Sequence, residues 1–541
     1  MFDSVKRRPL PVIAIAVVAV AALAGGYYET RKPNAVELIS DGYKEALEKV
    51  RQHYPGGLDL EALGKHTVNG MLHQLDPHSN FLTKTEFDEV QSEQRSRTYG
   101  IGVTIARRHD RVYIMSVTPG GPGDRAGLRY GDAIVAVDGV NTQEWTTEQV
   151  MHKVRGERGA PVGLTLARAG AADPIEVRIR RDEVKLPSVR NAFMVEQGAG
   201  YIALTGGFSS TTEQELVEAL ERLKREGMRQ LILDLRGNPG GLLDQAIYVS
   251  RKFLAPGQKI VEVRGREGRS TVNAYHVPEE NVPETIPVVV LINRGSASAS
   301  EIVAGALQDH DRAIIVGENS FGKGLVQGLF HLWGGTGLVL TTARYYTPTG
   351  RLIQRDYSNI SFYDYYSSRN GGEPGETGAP RGDALYTDLG RTVYGGGGIH
   401  PDIPVKSSPI NVALYNGVFD FVRQLVAGQI PRLREYEITE THHKSRLSPE
   451  EINRYAVTDS LIDAFREYIS SKPAFNVTDE RFQSNLDFIR AHMRREILSA
   501  AYGPEAGEQS YLSYDPQFRR AVESLDQARA LADKAQQARA R

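Results

Sequence analysis

Three short segments carry residue types and spacings that could do chemistry. Asn293-Arg294-Gly295-Ser296-Ala297-Ser298-Ala299-Ser300-Glu301 joins an apolar run to a helical pattern. Small residues at such a junction let a carbonyl group approach the backbone, and amides at a helix N-terminus favour developing negative charge. A plain helix cap is the competing reading, because Ser is a preferred cap and Glu often follows it. Asp234-Leu235-Arg236-Gly237-Asn238-Pro239-Gly240-Gly241 also follows an apolar run. Glycine-rich turns at strand ends are usually structural, yet α/β layers bind ligands there, and exposed glycine amides can form half of an oxyanion hole. The third segment, Gly317-Glu318-Asn319-Ser320-Phe321-Gly322-Lys323-Gly324, comes within one residue of a phosphate-binding loop. Gly324 stands where a Ser or Thr hydroxyl must hold magnesium, and Gly328 interrupts the helix that should face the phosphates. Ser320-x-x-Lys323 has a nucleophile–base spacing used on helices, but Gly322 and Gly324 argue against a helix here.

A serine nucleophile needs a base. None of the 13 histidines lies in a compelling motif, and no Gly-x-Ser-x-Gly elbow occurs. A lysine serves when desolvation lowers its pKa enough to leave it neutral, and serine–lysine pairs are a known variant of triad logic. Lys323, on a glycine-flanked loop after an apolar run, is the best placed. The absence of cysteine excludes disulfides, thiolate metal sites and a cysteine nucleophile. With 65 basic against 67 acidic residues, the chain lacks the positive excess of a nucleic-acid surface.

These segments need a scaffold, and 541 residues exceed one ordinary core. From about residue 198 the pattern is α/β. Tyr201 to Leu204, Leu231 to Leu235, Val288 to Ile292 and Ala313 to Val316 read as strands. Between them, Leu216, Ala219, Leu220 and Leu223 form the buried face of a helix that Gly227 ends, and Ser300 to Gln308 is helical. Ser210 and Glu213 predict a capping box at the first of these helices. Residues 99–183 alternate in short strands around a helix from Thr146 to Val154. Residues 36–98 read as helical, broken by the turn Asp76-Pro77-His78-Ser79. Residues 358–398 read as a polar loop insertion. Beyond 410 the chain is helical, ending in an amphipathic segment, Gln517 to Arg541, suited to packing or dimerisation. At the other end, Lys6, Arg7 and Arg8 precede an uncharged stretch from Pro9 to Tyr28, the pattern of an export signal. Its length also suits a membrane anchor, and Ala22-Leu23-Ala24 is a candidate cleavage site, so both readings stand. The basic flank predicts that the N-terminus stays in the cytoplasm and the rest lies outside it.

In order, the motifs Leu75-Asp76-Pro77-His78-Ser79, Asp234 to Gly241, Gly295 to Ile302, Ser320 to Gly324 with Gln327, and Tyr346-Thr347-Pro348-Thr349-Gly350-Arg351 resemble the carboxyl-terminal processing peptidases, also called tail-specific proteases. The resemblance covers residues 36 to 406. It implies an α/β multidomain fold: a signal or anchor at 1–30, a helical region at 36–98, a PDZ domain at 99–183, a layered peptidase core of crotonase/ClpP-like type at 184–410, and a helical region at 411–541. It further implies Ser298 as nucleophile, Lys323 as general base and Gln327 as the residue that orients the lysine or the substrate. The amide of Ala299 and a glycine of the Gly240-Gly241 pair, with Gly240 favoured, would form the oxyanion hole, without metal or cofactor. Tyr99-Gly100-Ile101-Gly102-Val103 would capture the terminal carboxylate of a protein substrate. Arg155 matches a position where some relatives couple PDZ docking to active-site alignment; an exposed surface arginine is the alternative. The implied setting is the bacterial cell envelope, on the periplasmic side, with an activating adaptor and self-association through the terminal helices as further expectations. A catalytically silent PDZ scaffold for protein C-termini is the rival reading.

Overall fold

The computed structural model describes residues 34–266, 272–358, 361, 365–366, 382–444 and 447–540. Two compact units divide the chain, one through Val68 and one from Asn69 to Arg541. In the first, helix Ala35–His53 opens on a reciprocal cap, with Asn34 Oδ1 accepting from the Glu37 amide (2.9 Å) and Glu37 Oε2 from the Asn34 amide (3.1 Å). The expected export signal at 1–30 lies outside the described residues. Among the described ones, no helix is long and apolar enough to cross a membrane.

In the second unit, alternating residues build a small antiparallel sheet in the order β1 (Val103–Arg108), β2 (Arg111–Val117), β3 (Ala133–Val137), β4 (Pro161–Ala167), β5 (Ile175–Arg180). Helix α1 (Thr147–Val154) packs on it and buries Val150 and Val154 against Ile114, Ile134 and Leu164.

A larger sheet of six strands runs β6 (Val189–Met194), β7 (Ala199–Leu204), β8 (Gln230–Asp234), β9 (Val288–Ile292), β10 (Ala313–Gly317), β11 (Ile403–Pro404). All pairs are parallel except β6 with β7. The unbroken apolar runs of β8 to β10 follow from burial on both faces. One face is covered by helices α2 (Thr212–Arg225), α3 (Leu243–Arg251) and α4 (Ala299–Asp309). Helices α5 (Val412–Val426) and α6 (Leu486–Tyr502) belong to a separate helical core. From there the chain returns to the large sheet. Phe518 and Ala521 of α7 (Pro516–Glu523), with Leu525 and Ala528 of α8 (Leu525–Arg539), cover Tyr201, Ile232, Val289 and Leu291 on its second face. The described part of the 517–541 segment, through residue 540, thus packs on its own chain, as two helices that part at Ser524 rather than one.

Three local expectations need correction. Helix α2 starts at Thr212 behind Thr211, without the Ser210–Glu213 box. The Ser210 amide donates to Gln94 O (2.9 Å) and the Glu213 amide to Gln245 Oε1 (3.1 Å), so tertiary partners replace the local cap. Within the helical stretch 36–98, Asn80–Leu82 is a strand paired with Gly337–Tyr346, an apolar edge that the Asp76–Ser79 turn frees from the helix. The insertion 358–398 carries a strand pair, Ala384–Tyr386 with Thr392–Tyr394. Buried Asp311 fastens its connecting turn by accepting from Thr387 Oγ1 (3.0 Å), Leu389 N (2.6 Å) and Arg391 Nε (2.5 Å).

At the far end of α4, Asp309 pairs with Arg351, both side chains fully buried, and also accepts from Thr349 N (3.0 Å) and Oγ1 (2.7 Å). Arg351→Leu leaves a carboxylate in the core without its counter-charge. It is expected to lower stability by about 3–5 kcal/mol in urea unfolding.

Candidate active site

The three chemical segments meet at the C-terminal ends of β8, β9 and β10, where parallel α/β layers place their ligands. The chain leaves β9, turns at Asn293 and enters α4 at Ala299. Ser298 sits at the junction with φ 55° and ψ −112°. A non-glycine residue holds such a conformation only when its surroundings impose it. The surroundings are visible. The Ala297 amide donates to Asn238 O (3.0 Å), the Ser300 hydroxyl to the same oxygen (3.0 Å), and the Ser298 amide to Glu301 Oε2 (2.8 Å). Ser298 and Glu301 face each other in the reciprocal arrangement of a capping box, with the Glu301 amide also donating to Ser298 O (2.9 Å), so the helix cap and the candidate hydroxyl share this residue.

Glu301 is the residue that sequence reasoning passed over. Its fully buried carboxylate accepts from the amides of Ser298 (2.8 Å), Gly322 (2.7 Å) and Lys323 (2.9 Å) and from the Ser320 hydroxyl (2.5 Å). Burial pushes its carboxyl above the usual range, while these donors pull the other way. Oε2 bridges the backbones of Ser298 and Lys323 directly. On the other side of the same two residues, the buried Tyr345 hydroxyl donates to Ser298 O (3.0 Å) and Lys323 O. The Ser-x-x-Glu spacing was the available signal for Glu301; Tyr345 had none. Ser320 is engaged structurally: its buried hydroxyl donates to Glu301 and also receives the Ile399 amide (2.6 Å). Strand Leu325–His331, not a helix, follows Gly324, so no helix N-terminus faces a phosphate.

Lys323 Nζ donates to Gln327 Oε1 (2.8 Å), its hydrogen bond here being to Gln327 rather than to Ser298. Gln327 Nε2 in turn donates to His78 O (2.5 Å). The Asp76–Ser79 turn is held by Asp76, which accepts from His78 N (2.8 Å), Ser79 N (2.9 Å) and Ser79 Oγ (2.7 Å). Burial lowers the pKa of Lys323 below the ordinary 10.5, opposed by the charges of Glu301 and Asp76. Burial, reinforced by Lys323, lowers the His78 pKa to about 3, so its imidazole stays neutral. Tyr365 and Tyr366 of the insertion flank that ring, with hydroxyls 3.0 Å from Nε2 and 2.9 Å from Nδ1.

Of the glycine pair, Gly240 lies at Ser298. A Cβ on it would stand 2.7 Å from Ser298 Cβ and 2.9 Å from the Ala299 nitrogen. A Cβ on Gly241 would instead strike Phe208 O, 2.1 Å away. The Gly240 N–H donates to Asn238 Oδ1 (2.9 Å) in this structure. The Ala299 amide, first in α4, precedes the first intrahelical hydrogen bond. The site can therefore offer a half-buried hydroxyl, a desolvated amine and a free helix-end amide in one place.

Residues 198–359 match the model of peptidase family S41, and residues 89–167 match that of the PDZ domain. The carboxy-terminal-processing protease of Bartonella bacilliformis is 38% identical over 316 residues, covering 58% of this chain and 72% of the relative. The chain belongs to the carboxy-terminal processing proteases of peptidase family S41. Carboxy-terminal processing protease CtpA of Bacillus subtilis is 31% identical over 348 residues, or 62% of this chain and 73% of that one. The carboxyl-terminal-processing protease of Synechocystis sp. is 38% identical over 287 residues, 52% and 66% respectively. As a carboxy-terminal processing protease, the protein is a serine-type peptidase of mixed α/β architecture with a PDZ domain.

In the matched PDZ region, Tyr99 and Gly100 end the strand Arg97–Gly100 and Val103 begins β1. Ile101 is buried between them, and Gly102 turns the chain with φ 72°. Strand β1 is the last of its sheet, pairing only with β2 among the described residues, and α1 packs near it. Arg155 caps α1 and donates to Glu93 Oε1 (3.1 Å). The structure thus places it in an ion pair with Glu93.

Every group facing Glu301 is a donor, so Glu301→Gln sets an NH2 group against one of them. The expected loss is about 1–3 kcal/mol in urea unfolding. Turnover of an unstructured protein tail should fall roughly tenfold or more, as the Ser298–Lys323 alignment loosens.

Proposed function

We propose that the protein is an endopeptidase that cuts near the C-termini of protein substrates, with Ser298 as nucleophile, Lys323 as general base and Gln327 as the residue orienting the lysine. The observation that carries this is the double tie between the two residues. Glu301 Oε2 holds both amides and the Tyr345 hydroxyl reaches both carbonyls, while burial takes the Lys323 amine out of solvent. Neutral Lys323 takes the Ser298 proton as Oγ attacks the scissile carbonyl, and then gives it to the leaving amine as the C-terminal fragment departs. Water hydrolyses the ester by the same proton route. The Ala299 amide faces the developing oxyanion, and the Gly240 amide joins it once its bond to Asn238 is released. No metal or cofactor enters the scheme.

The substrate tail adds to the open edge of β1 as a further strand, with its terminal carboxylate at the amides of the Tyr99–Val103 turn. Arg155 would contribute to alignment by leaving Glu93. Occupied Gly240 and the missing Ser298–Lys323 hydrogen bond describe a resting site, which suits activation by an adaptor; catalytic hydrogen bonds often tighten only with substrate bound. The basic flank and apolar stretch of residues 6–28 support a place on the periplasmic side of the bacterial cell envelope, with N-terminal membrane contact. Self-association would use the terminal helices, of which α7 and α8 already bury part of their surface on their own sheet.

Ser298→Ala and Lys323→Ala should each abolish cleavage of an unstructured substrate with an apolar C-terminus, by about 10⁴-fold or more, with unchanged melting temperature. Cleavage surviving in Ser298→Ala would overturn the assignment. Because the base must be neutral, kcat/KM should rise with pH through a midpoint below the ordinary lysine value. Asp76→Asn removes a charge that favours the ammonium and should move that midpoint down. Amidating the substrate's terminal carboxylate removes a charge-assisted hydrogen-bond acceptor and should raise KM roughly tenfold.

A further inference from the structure

The S41 match ends at residue 359, yet residues near the C-terminus reach the turn beside Ser298. Arg236 divides its guanidinium between two carboxylates. Nε and Nη2 go to Asp234 (3.0 and 2.6 Å), which Tyr201 steadies by donating at 2.8 Å. Nη1 goes to Asp515 Oδ2 (2.5 Å) and Gln517 Oε1 (2.9 Å). Both acceptors are fixed. Asp515 Oδ1 caps α7 by accepting from Gln517 N (2.9 Å) and Phe518 N (3.3 Å), and Gln517 Nε2 donates to Val405 O (2.9 Å) beside β11. Two residues beyond Arg236, Asn238 holds both walls of the site. Its carbonyl receives Ala297 N and Ser300 Oγ, and its side-chain oxygen receives Gly240 N. The turn between is soft, since Gly237, Gly240 and Gly241 all have positive φ.

We propose that Asp515 and Gln517 are positioning residues for hydrolysis: by gripping Arg236 they fix the 236–241 turn against Ser298 and Ala299. The proposal rests on the reading of Ser298 as nucleophile. A turn rich in glycine does not choose one conformation unaided, and a half-buried guanidinium with three anchored partners supplies the constraint at its entrance. The grip acts on the placement of Gly240 and Asn238, not on the PDZ groove, so it bears on turnover rather than on tail binding.

Asp515→Asn separates the two roles of this side chain. Asn keeps an oxygen for the α7 cap and turns an NH2 group toward Arg236 Nη1. Expected is a fall in kcat of about five- to tenfold, with KM for an unstructured tail peptide little changed. Wild-type kcat in Asp515→Asn, or a loss that follows the melting temperature or falls on KM instead of kcat, would overturn the proposal. Ser298→Ala run in parallel keeps the cases apart: cleavage surviving there removes the nucleophile assignment, whereas an inert Ser298→Ala beside a fully active Asp515→Asn removes only the grip.

Discussion

The Glu301 carboxylate is the point on which the catalytic face closes. A carboxylate taken out of water is tolerated only when its oxygens are satisfied, and here the donors come from two separate stretches of chain. Ser298 lies on the helix side, while Ser320, Gly322 and Lys323 lie on the loop after β10. Neither stretch can drift without leaving the charge short of a partner. Folding the carboxylate into the core therefore also sets the proposed nucleophile and base side by side. The strained backbone of Ser298 follows, because its amide must point at Glu301 while its carbonyl points at Tyr345.

The frame beneath is a sheet buried on both faces. Strands β8 to β10 carry no alternation, so they demand cover on each side. Helices α2 to α4 supply one layer, and the last two helices of the chain supply the other. This gives the C-terminal region a structural task, since without α7 and α8 the apolar faces of Ile232, Val289 and Leu291 would meet water. The same region reaches the PDZ domain, where Tyr130 donates to Glu496 (2.6 Å) and Arg108 to Tyr415 (2.8 Å). Peptidase sheet and PDZ sheet are thus fastened to a common helical core.

Legibility in the sequence followed the range of the interactions. The strands of the large sheet were readable because burial on two faces writes an apolar run into the chain. Ser298, Lys323 and the glycine pair were noticeable because small residues follow apolar runs there, at the strand ends where α/β layers bind ligands. The PDZ and peptidase likeness was readable from the order of motifs, and the family matches bear it out. What escaped depends on partners remote in sequence. Glu301 looked like an ordinary cap, and Tyr345 like any strand tyrosine. The Ser210–Glu213 box failed for the same reason, since Gln94 and Gln245 offered the two amides better-placed acceptors than the local side chains. Nothing in residues 411–541 alone says which surface they cover, because an amphipathic helix records that it packs and not on what.

The electrostatics of Lys323 join these themes. Desolvation would drive its proton off, but Glu301 and Asp76 hold it back. An isolated buried amine would be a poor base, being too weak once its pKa falls far, and a solvated one would stay protonated. Burial lowers the amine's pKa, and the nearby carboxylates limit how far it falls. Asp76 is itself pinned by the turn it caps, and Gln327 links that turn to the amine through His78 O. The motif Leu75-Asp76-Pro77-His78-Ser79, distant in sequence and silent about chemistry on its own, thus acts on the Lys323 amine twice. It places a charge near Nζ, and it anchors the Gln327 amide that Nζ donates to.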